Sequence, residues 1–410
     1  LRETVEDLDA EKGTLKNNAA NLRQALDRHS AFKRRLDLLW AYASNKLNEN
    51  LGNAEAQDWM GQLKALSQDA KVRKAYLGPE LVRLGDDTIG RYLREEPGLD
   101  KHAFSIRNSM RKAPHTLGPE AERVLSLAGQ LRGAPESARS FLANVEVEWP
   151  KITLSDGSEV TLTAAGYSKH RQAQNREDRL AVFDAFWSEW KKYESTLGAT
   201  LNGEVQGNLF VAKARKHDNV LGFFLSEDNI PPQVYRTLVQ VTNDNLPTLH
   251  RYFRLRADML EVSDLGYHDI YPSLIDLDRE FSIEDARIMT VNAVAPLGAR
   301  YVRDFADAAR KRWMHVYPQP GKRSGAYMSG AAYDVHPLIL LNHQDTFDSV
   351  STYAHEWGHA MHSVISNRNQ TFENADYSIF IAEIAAIVNE LLLQDYMFQN
   401  ARTDKERMYY

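Results

Sequence analysis

Two histidines and a glutamate in the run His355-Glu356-Trp357-Gly358-His359 have the types and spacing of a metal-dependent hydrolytic site. Residues four apart on a helix lie on the same face, so both imidazoles can reach one metal ion. Glu356 follows the first histidine directly, where a carboxylate can accept a proton from water that the metal activates. The pattern therefore predicts a zinc site with His355 and His359 as ligands and Glu356 as general base.

A second helix is expected to supply the third ligand. Apolar residues recur at helical spacing from about residue 378 to 392, and Glu383 and Glu390 interrupt them on one face, seven positions apart. A carboxylate in so apolar a helix needs a partner, because burying an unpaired charge is costly. Glu383 would complete a set of two imidazoles and one carboxylate, which leaves one zinc position open, as catalysis requires.

Ordinary structural roles are the alternatives for these residues. The histidine pair could be a surface or core pair, and Glu383 could be an ion-pair partner. Glu390 is consistent with support of a zinc ligand or with a buried ion pair. His362 shares the metal face and is interpreted as a pocket residue or a support for a ligand. As a fourth protein ligand, His362 would close the site and indicate structural zinc.

The elements around the motif are expected to be a helix, a short strand and a loop. Asp345 and Thr346 offer an N-cap for the metal helix, and residues 367–370 end it. Residues 318–330 are rich in glycine and predict a flexible loop, and residues 338–342 predict a short strand. An edge strand there could pair with an extended peptide, and an ordinary buried strand is the alternative.

Two side chains of the glycine-rich loop are candidates for substrate contact. Arg323 and Tyr327 could reach a bound substrate or could anchor the loop. The sequence pattern does not decide between these roles.

The first 165 residues predict a separate N-terminal helical domain. Residues 1–145 show successive amphipathic helices, with breaks at glycine and proline. Residues 151–162 alternate around an Asp156-Gly157 turn and predict a β-hairpin. We expect this hairpin to end an N-terminal domain over residues 1–165, followed by a catalytic domain over residues 166–410.

Composition narrows the functional class. Apolar residues make up 43% of the 410 residues, which permits a substantial core, and the net charge is −6. No basic stripe is present, so nucleic acid is not an expected partner. No apolar run approaches the roughly 18 residues that span a bilayer, so no membrane association is expected. The absence of cysteine excludes disulfides and thiolate zinc sites and is typical of a cytoplasmic protein.

Several stretches resemble the thimet-oligopeptidase family of metallopeptidases, in particular its oligoendopeptidase F branch. These stretches are residues 249–256, 322–327, 350–362 and 380–390. The resemblance implies a mainly α, zincin-type metallopeptidase with a helical N-terminal region, a small β element near the metal helix and a deep substrate channel. Such an enzyme cleaves short oligopeptides and rejects folded proteins. The resemblance also implies one zinc ion per chain, held by His355, His359 and Glu383, with Glu356 as general base.

The chain departs from the family pattern in two respects. Trp357 replaces a smaller residue and is expected to change only the packing behind the metal helix. Members of the family continue into a helical segment and a Tyr/His-rich loop, whereas this chain stops at Tyr410, soon after a capping box at residues 403–406. We therefore expect an internal fragment whose missing C-terminal part a separate polypeptide could supply. A non-catalytic peptide-binding module and a carboxypeptidase are the alternative functions.

Overall fold

Helices form most of the chain in the computed structural model, which describes residues 1–275, 277–330 and 332–410, with residue 130 described by its backbone alone. The predicted mainly α fold class is confirmed. Helices of the first 145 residues are α1 (Arg2–Glu6), α2 (Ala19–Glu49), α3 (Ala54–Lys74), α4 (Leu77–Glu95), α5 (Ala103–Arg111), α6 (Pro119–Leu127), α7 (Gly129–Arg132) and α8 (Ala134–Phe141).

The remaining helices follow residue 163. They are α9 (Ala164–His170), α10 (Arg176–Lys191), α11 (Glu194–Ala214), α12 (Val220–Glu227), α13 (Pro232–Met259), α14 (Ile283–Ala293), α15 (Ala299–Ala309), α16 (Phe347–Asn369), α17 (Phe372–Ala375), α18 (Ile379–Asn400) and α19 (Asp404–Tyr409). Short 3₁₀ turns at Asp7–Asp9, Pro97–His102, Ala113–His115, Tyr267–Asp269 and Ala295–Leu297, and a π-helical turn at Leu142–Glu146, connect them. None of the helices in the described residues has both the length and the apolar character that crossing a bilayer requires.

The long helix α2 organises the N-terminal region. Its first turn is capped by Asn18, whose side chain accepts a hydrogen bond from the backbone N–H of Asn21 over 2.9 Å. Its apolar face is buried in two adjoining clusters, one around Leu22 and the other around Phe32 and Leu36. Each such side chain contributes roughly 1.5–3 kcal/mol on burial, so α2 is held by tertiary packing as well as by its cap.

The predicted hairpin is present. Strands β1 (Lys151–Thr153) and β2 (Glu159–Thr161) pair in antiparallel fashion, with Lys151 opposite Thr161. Behind the hairpin, Leu162 and Val182 are fully buried with the ring of Phe186, which ties the hairpin to α10. The hairpin thus lies between the first group of helices and the second.

A three-stranded sheet lies beside the helix α16. Its strands are β3 (Met314–His315), β4 (Tyr327–Ser329) and β5 (Leu338–Leu340), in the order β3-β5-β4. β5 runs parallel to β3 and antiparallel to β4. Of the two alternatives for residues 338–342, the buried strand is correct and the edge strand is wrong, because the glycine-rich segment folds back as β4 and covers that edge. β5 is the central strand and β4 lies at the edge.

The largest apolar cluster joins α14, α15, α16, β5 and α18. Tyr353 and Trp357 on α16 and Phe305 on α15 are fully buried within it. In contrast, the apolar side chains of Ile379, Ile384 and Leu391 on the outer face of α18 are exposed. α18 therefore contacts α16 along one face and leaves an apolar face at the surface.

Candidate metal centre

The helix α16 presents the His355 and His359 pair because its apolar residues determine which face is buried. Thr346 caps the helix, accepting a hydrogen bond from the backbone N–H of Ser349 over 3.3 Å. The helix ends at Asn369, inside the polar cluster that the sequence predicted to end it. Because the apolar and small residues of α16 pack into the main cluster, the two histidines are left on the face toward α18.

A glycine allows α18 to approach α16 closely. A Cβ atom on Gly358 would lie 2.7 Å from the carbonyl oxygen of Ala385 and 2.7 Å from the Cα of Ala386. No larger residue fits between the two backbones at that separation. Gly358 lies next to His359 and three residues after His355, so this crossing brings the histidines to α18. The sequence pattern did not single out Gly358 for this purpose.

The three predicted ligands converge. The Nε2 atoms of His355 and His359 are 3.1 Å apart, and Glu383 Oε2 lies 3.5 Å from the first and 3.7 Å from the second. Donors about 2.0–2.1 Å from a tetrahedral zinc ion are about 3.3 Å from one another. The three donor atoms are thus spaced as a tetrahedral zinc site requires.

The environment of Glu383 differs from the one its apolar neighbours suggested. Its side chain is 46% exposed, because this part of α18 lies at the surface and not in the core. The sequence argument that Glu383 is a buried charge in need of a partner is therefore wrong, although Glu383 does lie beside the histidines. Its position follows from the helix crossing at Gly358 and from the seven-residue spacing to Glu390.

Glu390 contacts His355 on the side away from the other ligands. Its Oε1 lies 2.5 Å from His355 Nδ1, and its Oε2 accepts a hydrogen bond from the hydroxyl of Ser351 over 3.1 Å. An imidazole that donates its Nδ1–H to a carboxylate presents the lone pair of Nε2, which is the form that binds a metal ion. The contact with a predicted ligand favours the supporting role for Glu390 over an unrelated ion pair.

Glu356 is buried beside the histidines and faces the edge of the sheet. Only 6% of the residue is exposed. Burial raises the pKa of its carboxyl group to about 7, and the nearby carboxylate of Glu383 adds to the rise. The imidazole of His355 and the backbone of Met328 in β4 lower this pKa. Its Oε2 has no hydrogen-bond partner among the described residues. A buried carboxyl with a free oxygen is suited to accept a proton.

The remaining candidate residues lie around this centre. The ring of His362 stacks on Tyr377, with centroids 3.9 Å apart, and His362 is not one of the three converging donors. The side chain of Arg323 is exposed, with its guanidinium 5.4 Å from the ring of Tyr327. The Tyr327 hydroxyl bonds to two asparagines of α2. Tyr327 therefore anchors the loop, which was one of its two predicted roles.

Two further residues hold the metal helix in place. The fully buried ring of Trp357 lies against Trp313 and Phe305, and its Nε1–H points to Met314 Sδ at 3.2 Å. It packs behind the helix, as expected. Asn389 was not predicted, although an amide in an apolar helix was a usable signal. It is buried, and its Nδ2 donates to the carbonyl of Ala354 over 3.1 Å, which joins α18 to α16.

Comparison with known proteins identifies the family. A family model described as Peptidase family M3 matches residues 169–409, and another described as Oligopeptidase F matches residues 80–148. The chain is 32% identical to the oligopeptidase PepF of Bacillus subtilis over 100% of this chain and 61% of that protein. It is 31% identical to the group B oligopeptidase PepB of Streptococcus agalactiae over 99% of this chain and 68% of that protein.

A solved structure shows the same fold. The crystal structure of oligoendopeptidase-F from Enterococcus faecium matches with a TM-score of 0.74 and 26% sequence identity, over 98% of this chain and 67% of that one. The chain thus spans about two thirds of the length of the relatives it matches. Since the M3 model covers more than half of its residues, the chain belongs to peptidase family M3.

Proposed function

We propose that this chain carries the catalytic centre of a zinc-dependent endopeptidase that hydrolyses oligopeptides. The observation that carries the proposal is the convergence of His355, His359 and Glu383 next to the buried carboxyl of Glu356. Membership of a peptidase family supports the reaction type. The relatives' names, oligopeptidase and oligoendopeptidase, support short peptides as the substrate class.

The donor set suits zinc. Two imidazole nitrogens and one carboxylate oxygen are typical of a catalytic zinc site, which keeps a fourth position open. When bound, zinc supplies Lewis acidity, which polarises the scissile carbonyl and makes water a stronger acid. Glu390 holds the imidazole of His355 so that Nε2 faces the site.

Glu356 is the proposed proton carrier. Its free Oε2 accepts a proton from the attacking water, and the same carboxyl then delivers that proton to the departing amine. The water oxygen joins the carbonyl carbon with its second proton still attached, the C–N bond breaks, and the nitrogen leaves as an amine that carries the proton from Glu356. The resulting carboxylic acid then loses its proton, and the amine gains one, by exchange with solvent. Burial of Glu356 excludes bulk water as a competing proton source.

The edge strand β4 is the proposed binding surface for the peptide backbone. On the β3 side, the N–H of Ile339 donates to the carbonyl of Trp313 over 2.8 Å, and the N–H of Leu341 donates to the carbonyl of His315 over 2.9 Å. The backbone groups of the intervening Leu340 therefore face β4, where its partner is Tyr327. The next residue, Met328, then directs its own N–H and C=O away from β5, on the side of Glu356. An extended peptide added along that edge would lie beside the proposed general base.

Two domains are proposed, with their boundary after the hairpin. The family matches at residues 80–148 and 169–409 fall on either side of β1 and β2, which supports a division near residue 165. The N-terminal helical domain then covers residues 1–165 and the catalytic domain residues 166–410.

Product analysis of a defined peptide mixture tests the proposal. The chain is incubated with zinc and peptides of about 5–20 residues, each in a free-acid and a C-terminally amidated form, together with a folded protein. Internal cuts in both peptide forms, with the folded protein intact, are the expected result. Sequential removal of C-terminal residues, with amidated peptides resistant, would indicate a carboxypeptidase. Peptide binding without any cleavage would replace the proposal with the non-catalytic alternative.

A further inference from the structure

The hydroxyl of Tyr327 joins the edge strand to the N-terminal helix α2. It donates a hydrogen bond to Asn45 Oδ1 over 2.9 Å and accepts one from Asn48 Nδ2 over 2.8 Å. The residues that meet are about 280 positions apart in the chain. The last turns of α2 are therefore in direct contact with the strand beside Glu356.

This contact is specific to a hydroxyl group. The amide of Asn45 is oriented by its Nδ2, which donates to the carbonyl of Ala41 over 2.7 Å and leaves Oδ1 to accept. A group that both donates and accepts is needed between this oxygen and the Nδ2 of Asn48. Partial burial keeps the pKa of Tyr327 above its usual value, so the hydroxyl retains its proton. Phenylalanine would fill the same space and satisfy neither asparagine.

The end of α2 also holds the loop that leads into β4. The backbone N–H of Arg323 donates to the carbonyl of Asn48 over 2.9 Å, and the side chain of Gln319 donates to the carbonyl of Glu49 over 2.9 Å. Carbonyls in the last turn of a helix have no partner within the helix, so the loop satisfies groups that α2 leaves free. A hydrogen bond also runs in the other direction, from the N–H of Leu51 after the helix to the carbonyl of Gly321 in the loop, over 2.7 Å.

A glycine is favoured where the loop meets the helix end. Gly321 has a φ of +77°, and a Cβ atom there would lie 2.7 Å from Asn50 Oδ1. The backbone conformation favours glycine, and a larger residue would also have to displace the side chain of Asn50. The loop is thus fitted to the end of α2 by several independent contacts.

The contact between Tyr327 and α2 lies one residue before Met328, which is next to the proposed general base Glu356. The backbone of Met328 lies close enough to the carboxyl of Glu356 to lower its pKa. β4 has three residues, Tyr327–Ser329, so a shift at its first residue moves the edge along which a peptide would bind. The pairing of Tyr327 with Leu340 holds one side of the strand, and α2 holds the Tyr327 side chain.

We propose that Asn45 and Asn48 of the N-terminal region, acting through the Tyr327 hydroxyl, position β4 for peptide binding and catalysis. The inference rests on the proposed peptidase function and assigns part of its active-site geometry to a helix outside the catalytic domain. Asn45, Asn48 and Tyr327 are positioning residues, since their hydrogen bonds act on the strand and not on the substrate.

A double-variant cycle in peptide hydrolysis tests this coupling. Tyr327→Phe and Asn48→Ala are each expected to lower kcat/KM about tenfold, the size expected for one buried hydrogen bond, mainly through a higher KM. The double variant should be no worse than either single variant, because both remove the same contact. Zinc content should not change. Tyr317→Phe, at an exposed side chain of the same segment, is the control and should match the unmodified chain. Wild-type KM in both single variants, or losses that multiply in the double variant, would overturn the inference.

Hydrogen–deuterium exchange provides a second readout that needs no activity. Amides of residues 323–329 should exchange about tenfold faster in Tyr327→Phe and in Asn48→Ala, while amides of α16 keep their protection. If the unmodified zinc-loaded chain cleaves no peptide, the proposed function fails. The exchange data alone then show whether α2 positions β4. Unchanged exchange at residues 323–329 in both variants would show that α2 does not position β4.

Discussion

The carboxylate of Glu390 illustrates how much of the centre depends on residues that would not touch the metal. Its 2.5 Å contact with His355 Nδ1 sets which ring nitrogen faces the site. Seven residues separate it from Glu383, so one face of α18 carries both a proposed ligand and the carboxylate that contacts another proposed ligand. The sequence singled out both glutamates, and the structure places Glu383 at the Nε2 atoms of the histidines and Glu390 at the Nδ1 atom of His355.

Glu390→Ala is expected to weaken zinc binding about 10–100-fold, the usual cost of losing a carboxylate that orients a histidine ligand. Glu390→Gln should lose less, because its amide oxygen can still accept from Nδ1–H. Asp395→Asn, at an exposed acid on the same helix, is the control for charge. Competition with a chromophoric chelator gives the affinities. Equal zinc affinity in Glu390→Ala and the control would rule out this role.

At the scale of single residues, the sequence predicted the residues whose side chains can bind a metal ion or transfer a proton. It predicted His355, His359 and Glu383 as ligands, and the structure brings these three together. Glu356, the predicted base, is buried beside them. Gly358 and Asn389 escaped prediction because their task is to fit another helix, and that helix is unknown until the fold is known. The exposure of Glu383 was not predicted for the same reason.

At the level of secondary structure, the crossing of α16 and α18 determines the centre. Helix boundaries followed from caps and apolar periodicity, and both helices begin where the sequence indicated. The sheet was harder to predict. A run of apolar residues indicated β5, but its place between two strands depends on β4, whose sequence of three residues carries no clear alternation.

Gly358→Ala tests the helix crossing. The added Cβ meets backbone atoms of α18 at 2.7 Å, so the helices must separate, at a cost of about 1–3 kcal/mol in the free energy of unfolding. Zinc affinity should fall as well, because Glu383 moves away from the histidines. Gly198→Ala in α11, where nothing lies within 4 Å, is the matched control and should be neutral or slightly stabilising. Denaturant unfolding and zinc titration of both variants provide the comparison. Equal stability and zinc affinity in the two variants would contradict the described crossing.

Considered as a whole, the molecule places a helical N-terminal region against the edge of the catalytic site. The sequence predicted that region and the hairpin that follows it, from periodicity and from turn residues. It could not predict that α2 touches β4, because Asn45 and Asn48 are ordinary polar residues of a helix and their partner is far away in the chain. Long-range contacts of this kind leave no local pattern.

Acid sensitivity of the N-terminal region is a further expectation. His29 on α2 is buried, and burial, together with the charge of Lys74, lowers its pKa to about 4. Between pH 6.5 and 4 the unfolded chain binds a proton at this residue and the folded chain does not, so stability declines as the pH falls through this range. The loss reaches at most about 3 kcal/mol near pH 4.

Replacing His29 removes this part of the pH dependence. Denaturant unfolding at pH 7.5 and pH 5 should show a smaller difference for His29→Gln than for the unmodified chain. His250→Gln, at an exposed residue of α13, should leave the difference unchanged. An identical pH difference in His29→Gln and the unmodified chain would show that His29 is not the group responsible.

The central claim is that one zinc ion lies between His355, His359 and Glu383 and that Glu356 moves the proton. The most direct measurement is zinc content and peptide turnover in the unmodified chain, His355→Ala and Glu356→Gln. The unmodified chain should hold one zinc ion and cleave peptides, and His355→Ala should lose both properties. Glu356→Gln should keep the zinc and lose turnover by about 10²–10⁴-fold. Near-normal turnover in Glu356→Gln, or stoichiometric zinc in His355→Ala, would contradict the claim.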